Sequence, residues 1–265
     1  MESLELGSDR STLRYHDIPG AGPPLIFIHG LGCASSCDYP RIASDPALFG
    51  RRMLLVDLLG SGFSDHPADF GYTVDDHART VLELARSLSL DALDLFGHSL
   101  GGSIAIAAAG MLEGRVRHLV LGEPNFRPGG GVFSRGIAAV TEDDYVAHGH
   151  DDLVRSSRAE GLGIWAASLS ISSPRGVHRA ATSLVVGCNP TWGAQLLALT
   201  MSRTVIFGEA SLPDPDAERL PHQGVLVEIV PDAGHLMAWD NPAGVALALR
   251  RALAPTSSGG NLLTH

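Results

Sequence analysis

Lysine is absent from this chain: all 19 basic residues are arginine. That excludes a Schiff-base lysine, hence ordinary pyridoxal chemistry, and it excludes a phosphate-loop lysine. Cysteine is sparse and odd in number. Cys33, Cys37 and Cys188 therefore predict reduced thiols and a cytoplasmic location. Cys33 and Cys37 stand four apart, but a metal site needs more ligands than these, so no metal is expected. Positive charge is in deficit. The net charge is −10 and no basic run exists, which makes nucleic acid a poor partner. The acidity is read as serving solubility. No apolar run approaches the length of a membrane span, so no membrane partner is expected. The opening residues, MESLELGSDRSTLRY, lack the basic and apolar regions of a secretory signal. An H-E-x-x-H or comparable cluster is missing, which argues against a metal hydrolase. No internal repeat is visible.

What is present is material for a core. Apolar residues make up 45% of 265 positions, enough for one large α/β domain or two small ones. Residues 2–18 alternate loosely around Gly7-Ser8-Asp9 and predict an antiparallel hairpin. The continuous apolar run at 25–28 has the mark of a strand buried on both faces of a parallel sheet; 53–56 reads as another buried strand, and further strands are expected at 93–96 and 116–121. A short helix is expected within 40–49. Between 74 and 88 apolar residues recur at helical spacing (Val74, Ala78, Val81, Leu82, Ala85, Leu88). Thr73 is placed to cap that helix, with Asp75 and Asp76 in its first turn. This rhythm predicts a doubly covered parallel sheet with right-handed crossovers.

The rhythm breaks over 125–200. That stretch holds Pro-Gly-Gly-Gly at 128–131, expected to act as a flexible hinge, and an acidic run around Glu142–Asp144. Helices are predicted near 141–148, 151–160, 175–186 and 191–201. The β/α rhythm then resumes with a strand at 204–207, a helix at 215–222, a strand at 225–230 and a last helix at 243–253. The expected division is a core of 1–124 and 201–254, a helical insertion of 125–200, and a loose tail of 255–265.

Chemistry centres on 93–110, LDLFGHSLGGSIAIAAAG. A short apolar strand runs into Gly97-His98-Ser99-Leu100-Gly101 and then into a small-residue helix. This is G-x-S-x-G between strand and helix, where a serine sits on a tight turn with its hydroxyl above the sheet edge. Glycines two before and two after it are needed because a Cβ there would meet neighbouring backbone. Gly102, Ala105 and Ala107 to Ala109 let the helix pack closely. A serine needs a base to take its proton. Of twelve histidines, His235 is the candidate, because it follows the last strand directly at the same sheet edge. His98 is read as a packing residue and His29 as shaping its loop. A tetrahedral oxyanion needs N–H donors already aimed at it. Leu100 supplies one and Leu31, in the His29-Gly30-Leu31-Gly32 turn, supplies the other.

The chain resembles the α/β-hydrolase superfamily. The matching residues are His29-Gly30 after a buried strand, Asp57 with Gly60-Ser61-Gly62-Phe63-Ser64 after the next, Gly97-His98-Ser99-Leu100-Gly101-Gly102, and Gly234-His235. They fall in the family's order across about 25–250. The resemblance implies a mostly parallel eight-stranded sheet covered by helices on both faces, with a helical cap inserted after strand six. It also implies no cofactor. Many members carry the third triad residue as an aspartate after strand seven, and here that position holds Ser211. Three carboxylates can replace it: Glu123, Asp214 and Glu209. Glu123 is favoured, because Gly122-Glu123-Pro124 ends an apolar strand and is similar to the acid after strand six of certain haloalkane dehalogenases and the zearalenone lactonases. Asp214 looks like a helix start, and Asp57 like a brace for its own turn.

The cap contributes Phe126, Phe133, Trp165 and Trp192. Phe126, Trp165 and Trp192 are expected to touch an apolar substrate. The expected activity is cofactor-free hydrolysis of a modest-sized apolar ester or lactone through an acyl-enzyme on Ser99, His235 and Glu123. Carbon–carbon hydrolysis and acyl transfer remain open on the same residues. A non-catalytic binder is a different class, against which the Ser-His pair argues. A dehalogenase would need a carboxylate where Ser99 stands.

Overall fold

The computed structural model describes residues 1–7, 10–112 and 114–254. The tail expected to be loose, and Ser8 and Asp9 of the first turn, lie outside the described residues. Eight strands form one sheet in the order β1-β2-β4-β3-β5-β6-β7-β8. They are β1 (Glu2–Glu5), β2 (Thr12–Ile18), β3 (Ala21–Ile28), β4 (Arg51–Asp57), β5 (Leu93–His98), β6 (Val116–Gly122), β7 (Ser202–Gly208) and β8 (Leu226–Val230). β1 and β2 make the antiparallel hairpin, and β2 pairs antiparallel with β4. The pairings among β3 to β8 are parallel.

The central strands are rich in apolar residues because both of their faces are buried. Ile26, Ile28, Leu54, Val56, Leu95 and Leu121 point to one side, into the core beneath the helices Val74–Ser87 and Leu100–Met111. Leu25, Phe27, Met53, Leu55, Phe96 and Val120 point to the other, against Pro242–Ala252 and the short helix Pro40–Ala43. The alternation has the period of two that a pleated strand imposes. On the second side Phe27, Tyr39 and Phe96 pack with ring centroids 5.1, 5.5 and 5.7 Å apart. The helix Val74–Ser87 begins with a capping box: Thr73 accepts from the Asp76 N–H while Asp76 reaches back to the Thr73 backbone. Such a box satisfies two orphan donors at once.

Residues 125–200 are helical and stand between β6 and β7. The segments are Val132–Ala138, Glu142–Asp144 running through a wide π-turn into His150–Ala159, then Gly163–Ser170, Pro174–Val186 and Trp192–Ala198. Two of them, Val132–Ala138 and Gly163–Ser170, have no counterpart in the sequence pattern. Gly163–Ser170 reads GIWAASLS, apolar or small on every side, so no helical period shows. It is nonetheless the centre of a separate cluster in which Trp165, Ala166 and Leu169 pack with Tyr145, Val154 and Val177. His150 is buried within it and bonds the Leu169 carbonyl at 3.0 Å. The Pro-Gly-Gly-Gly turn is tied down at three points. Gly129 N–H donates to Val185 O, Arg135 donates to Gly130 O, and Gly131 N–H donates to Ser134 Oγ.

Candidate active site

β5 delivers Ser99 to the carboxyl edge of the sheet. The serine sits at φ 52°, ψ −118°, a conformation an L-residue adopts only when its surroundings over-determine it. The surroundings are its glycines. A Cβ on Gly97 would overlap the Gly101 carbonyl, and one on Gly101 would overlap the Ile28 carbonyl. The elbow is thereby pressed against both its own helix and β3. Ser99 N–H donates to Gly122 O at 2.9 Å.

Three side chains from distant positions meet here. Ser99 Oγ lies 3.2 Å from His235 Nε2. The other ring nitrogen, Nδ1, lies 2.7 Å from Glu123 Oε2. With the proton on Nδ1, the imidazole donates to the carboxylate and accepts from the serine hydroxyl. Glu123 follows β6 at φ 39°, and its N–H donates to Ile206 O on the next strand. Its second oxygen accepts the Gly208 N–H at 2.8 Å. Ser211, standing where an aspartate was looked for, also hydrogen-bonds this carboxylate. Burial alone would raise the Glu123 carboxyl, but hydrogen bonds from His235, Gly208 and Ser211, with the charge of His235, hold it below its ordinary value.

The two other carboxylates are occupied elsewhere. Asp214 accepts from the Asp216 N–H at 2.7 Å, capping the helix Pro215–Arg219. Glu209 accepts from the Asp232 N–H. Asp57 braces its turn as expected, accepting from Ser36 N–H, Ser36 Oγ and Phe63 N–H.

His98 lies behind His235 with ring centroids 4.8 Å apart. Burial first, then the neighbouring His235, push its pKa down to about 3. It is neutral, and its Nε2–H donates to the His235 carbonyl at 2.8 Å. The packing residue of the elbow thus also fixes the backbone of the base. His29 shapes its loop: Leu58 N–H donates to Nε2, so Nδ1 carries the proton and donates to Gly30 O.

Of the two expected oxyanion donors, Leu31 lines the cavity beside Ser99 and Leu100 directly follows Ser99 in the chain. Leu100 is the first residue of the elbow helix, so its N–H has no carbonyl one turn earlier. Leu31 follows β3, and its carbonyl accepts the Trp165 Nε1–H at 2.8 Å. The insertion therefore grips the loop that presents the Leu31 N–H.

A cavity of about 550 Å³ opens over Ser99. Its floor holds Ser99, His98 and His235, and its walls are largely apolar: Leu31, Val132, Phe133, Leu162, Trp165 and Leu184. Trp165 lines it as expected. Phe126 and Trp192 do not, and those two assignments are corrected. Both are buried in the main core, with Trp192 only 1% exposed, and the Gly193 N–H donates to Phe126 O. An aromatic in the insertion can face either the cavity or the layer beneath it, and these face the layer beneath. Asn125, two residues past Glu123, and Asp240, at the end of the short helix after His235, line the cavity unanticipated. A second hollow of about 470 Å³ between the helices Val74–Ser87 and Pro174–Val186 is bordered by Trp192 and by none of Ser99, His235 and Glu123.

A family model described as alpha/beta hydrolase fold matches residues 23–178. Among curated proteins, haloalkane dehalogenase 2 of Mycobacterium tuberculosis (strain ATCC 25618 / H37Rv) is 37% identical over 127 residues, 48% of this chain and 43% of that protein. The 2-hydroxymuconate semialdehyde hydrolase of Pseudomonas sp. (strain CF600) is 42% identical over 110 residues, 40% of this chain and 38% of that protein. The chain thus matches less than half the length of these relatives. Among solved structures, a thermophilic esterase from Thermogutta terrifontis superposes with a TM-score of 0.77 at 21% identity, over 95% of this chain and 97% of that one. That likeness is one of fold.

Proposed function

The chain belongs to the alpha/beta hydrolase fold family, and from that premise we propose that it is a serine hydrolase of apolar carboxylic esters or lactones. The observation that carries the proposal is the continuous hydrogen-bonded line Ser99 Oγ, His235 Nε2, His235 Nδ1, Glu123 Oε2, of which Ser99 and His235 line a largely apolar cavity.

In this reading His235 takes the proton from Ser99 as the hydroxyl oxygen attacks the substrate carbonyl. Glu123 keeps the imidazole in the tautomer that can accept, and stabilises the imidazolium that forms. The N–H groups of Leu31 and Leu100 receive the developing oxyanion. The imidazolium returns its proton to the leaving alcohol, leaving Ser99 acylated. Water, deprotonated by the same histidine, then releases the acid and restores the hydroxyl. The helical insertion acts as a cap, and Trp165 couples it to the oxyanion loop through the Leu31 carbonyl. The unpaired cysteines Cys33, Cys37 and Cys188 support a reducing compartment, the cytoplasm.

The test is turnover of a panel of aryl esters and lactones by wild type and Ser99→Ala, with mass measurement of the intact protein after a fluorophosphonate. Loss of turnover and of a single adduct in the alanine variant supports the reading. Equal turnover in both would sink it. A second reading, hydrolysis of a carbon–carbon bond on the same three residues, is supported by the similarity to the semialdehyde hydrolase. Turnover of a vinylogous diketone in place of esters would favour it.

A further inference from the structure

The cavity over Ser99 has a carboxylate in its lining and, among the described residues, no arginine. Asp240 ends the helix Met237–Asp240, just after His235, and borders the cavity beside it. Its Oδ2 accepts the Gly234 N–H at 2.9 Å, which fixes the group at the rim. Among the described residues no arginine is part of the lining, and lysine is absent from the chain. The guanidinium of Arg135, on the helix whose first turn forms part of the wall, donates to the Gly130 carbonyl and is not part of the lining. Besides Ser99 and the two histidines His98 and His235, the remaining polar groups are Asn125, Ser134 and Cys33. Behind His235 stands a second negative group, Glu123.

A carboxylate-bearing molecule entering this space loses its water and meets no guanidinium or ammonium to replace it, which is costly in an apolar surround. It also meets like charge at the rim. An uncharged chain or ring of the same size faces neither cost and gains the apolar wall. We infer that the site takes uncharged acyl substrates and turns away carboxylate-bearing ones, with Asp240 as the residue that sets this selection. The inference rests on the serine hydrolase reading in taking this cavity as the substrate site. It names the charge class of what that site accepts.

Two measurements test it. The first compares kcat/KM for 4-nitrophenyl butyrate and for its carboxylate-bearing counterpart, mono-4-nitrophenyl succinate, at low ionic strength. The neutral ester is favoured by about tenfold or more, a ratio typical of one unscreened like charge at short range. The ratio shrinks with added salt and shrinks in Asp240→Asn, whose Oδ1 still accepts the Gly234 N–H. The second measurement needs no turnover. Calorimetric titration of Ser99→Ala compares 4-phenylbutanamide with 4-phenylbutanoate. The amide binds, the carboxylate binds about tenfold more weakly, and adding Asp240→Asn narrows the gap. Equal or tighter binding of the carboxylate, failure of the amide to bind, or a gap that Asp240→Asn leaves unchanged overturns the inference. Absence of any ester turnover would instead overturn the serine hydrolase reading, while the binding comparison still decides this one.

Discussion

The N–H of Ser99 donates to the carbonyl oxygen of Gly122 at 2.9 Å, so the turn carrying the nucleophile is bonded to the residue just before Glu123. His98 and Gly122 are register partners on β5 and β6. The two turns leave the sheet side by side, and both Ser99 and Glu123 are held at positive φ. The spacing of hydroxyl and carboxylate is therefore set by the sheet itself, and His235 is received between them.

Glu123→Gln leaves the fold intact, because the amide oxygen still accepts the Gly208 N–H. Its NH2 group cannot accept the Nδ1 proton, so His235 is driven to the wrong tautomer. The expected loss in kcat is about 10³–10⁴-fold. Asp214→Asn and Glu209→Gln stay within a few-fold of wild type. Steady-state kinetics on the three variants decide, and a collapse in Asp214→Asn with near-normal Glu123→Gln would move the acid elsewhere.

Trp165→Phe and Trp192→Phe separate cavity from core. Trp165→Phe removes the bond to Leu31 O and loosens the oxyanion loop, lowering kcat about tenfold, the scale of one modest hydrogen bond. Trp192→Phe lowers the melting temperature with KM unchanged. A KM change in Trp192→Phe would return that residue to the substrate.

Acid sensitivity follows from two buried histidines. His77 and His98 are pushed down from 6.5 to about 3, by burial in both cases and in His98 further by His235. Below 6.5 the unfolded chain takes up protons that the folded chain refuses, so stability falls as pH falls toward 3. Each group contributes a slope of up to about 1.4 kcal/mol per pH unit. Glu123, held below its ordinary value, acts in the same direction: its contribution is present above the carboxylate range and lost on acidification. Urea unfolding at pH 7 and pH 5 measures the decline. His98→Gln flattens it by about one proton's worth, and an unchanged slope in that variant contradicts the assignment.

Two glycines of one helix behave oppositely. Gly101→Ala forces a Cβ into the Ile28 carbonyl and prevents the elbow from closing, so the variant loses activity and folds poorly. Gly110 has open space around it. Gly110→Ala stabilises by about 0.5–1 kcal/mol through helix propensity. Thermal denaturation of the pair gives shifts of opposite sign.

The sheet is legible in the sequence wherever strands are buried on both faces, since continuous apolar runs such as Leu25 to Ile28 have few other uses. The elbow is legible because its glycines are sterically obligatory. The insertion is only half legible. Gly163–Ser170 is apolar all round and shows no period, and the identity of an aromatic does not say which way it faces, as Phe126 and Trp192 demonstrate. Ser211 was readable as an absence, but its bond to Glu123 was not. Asp240 gave no signal, since its place at the cavity depends on the turn that follows His235.

Glu123 precedes the insertion, directly after the strand next to the one that leads into Ser99, and this has an evolutionary consequence. Residues 125–200 can lengthen, shorten or be exchanged without altering the distance between nucleophile and acid. The segment that supplies most of the cavity's apolar wall is free to diverge while Ser99 and Glu123, upstream of it, stay fixed. A chimera carrying a foreign cap between Asn125 and β7 would inherit new substrates and keep the old reaction.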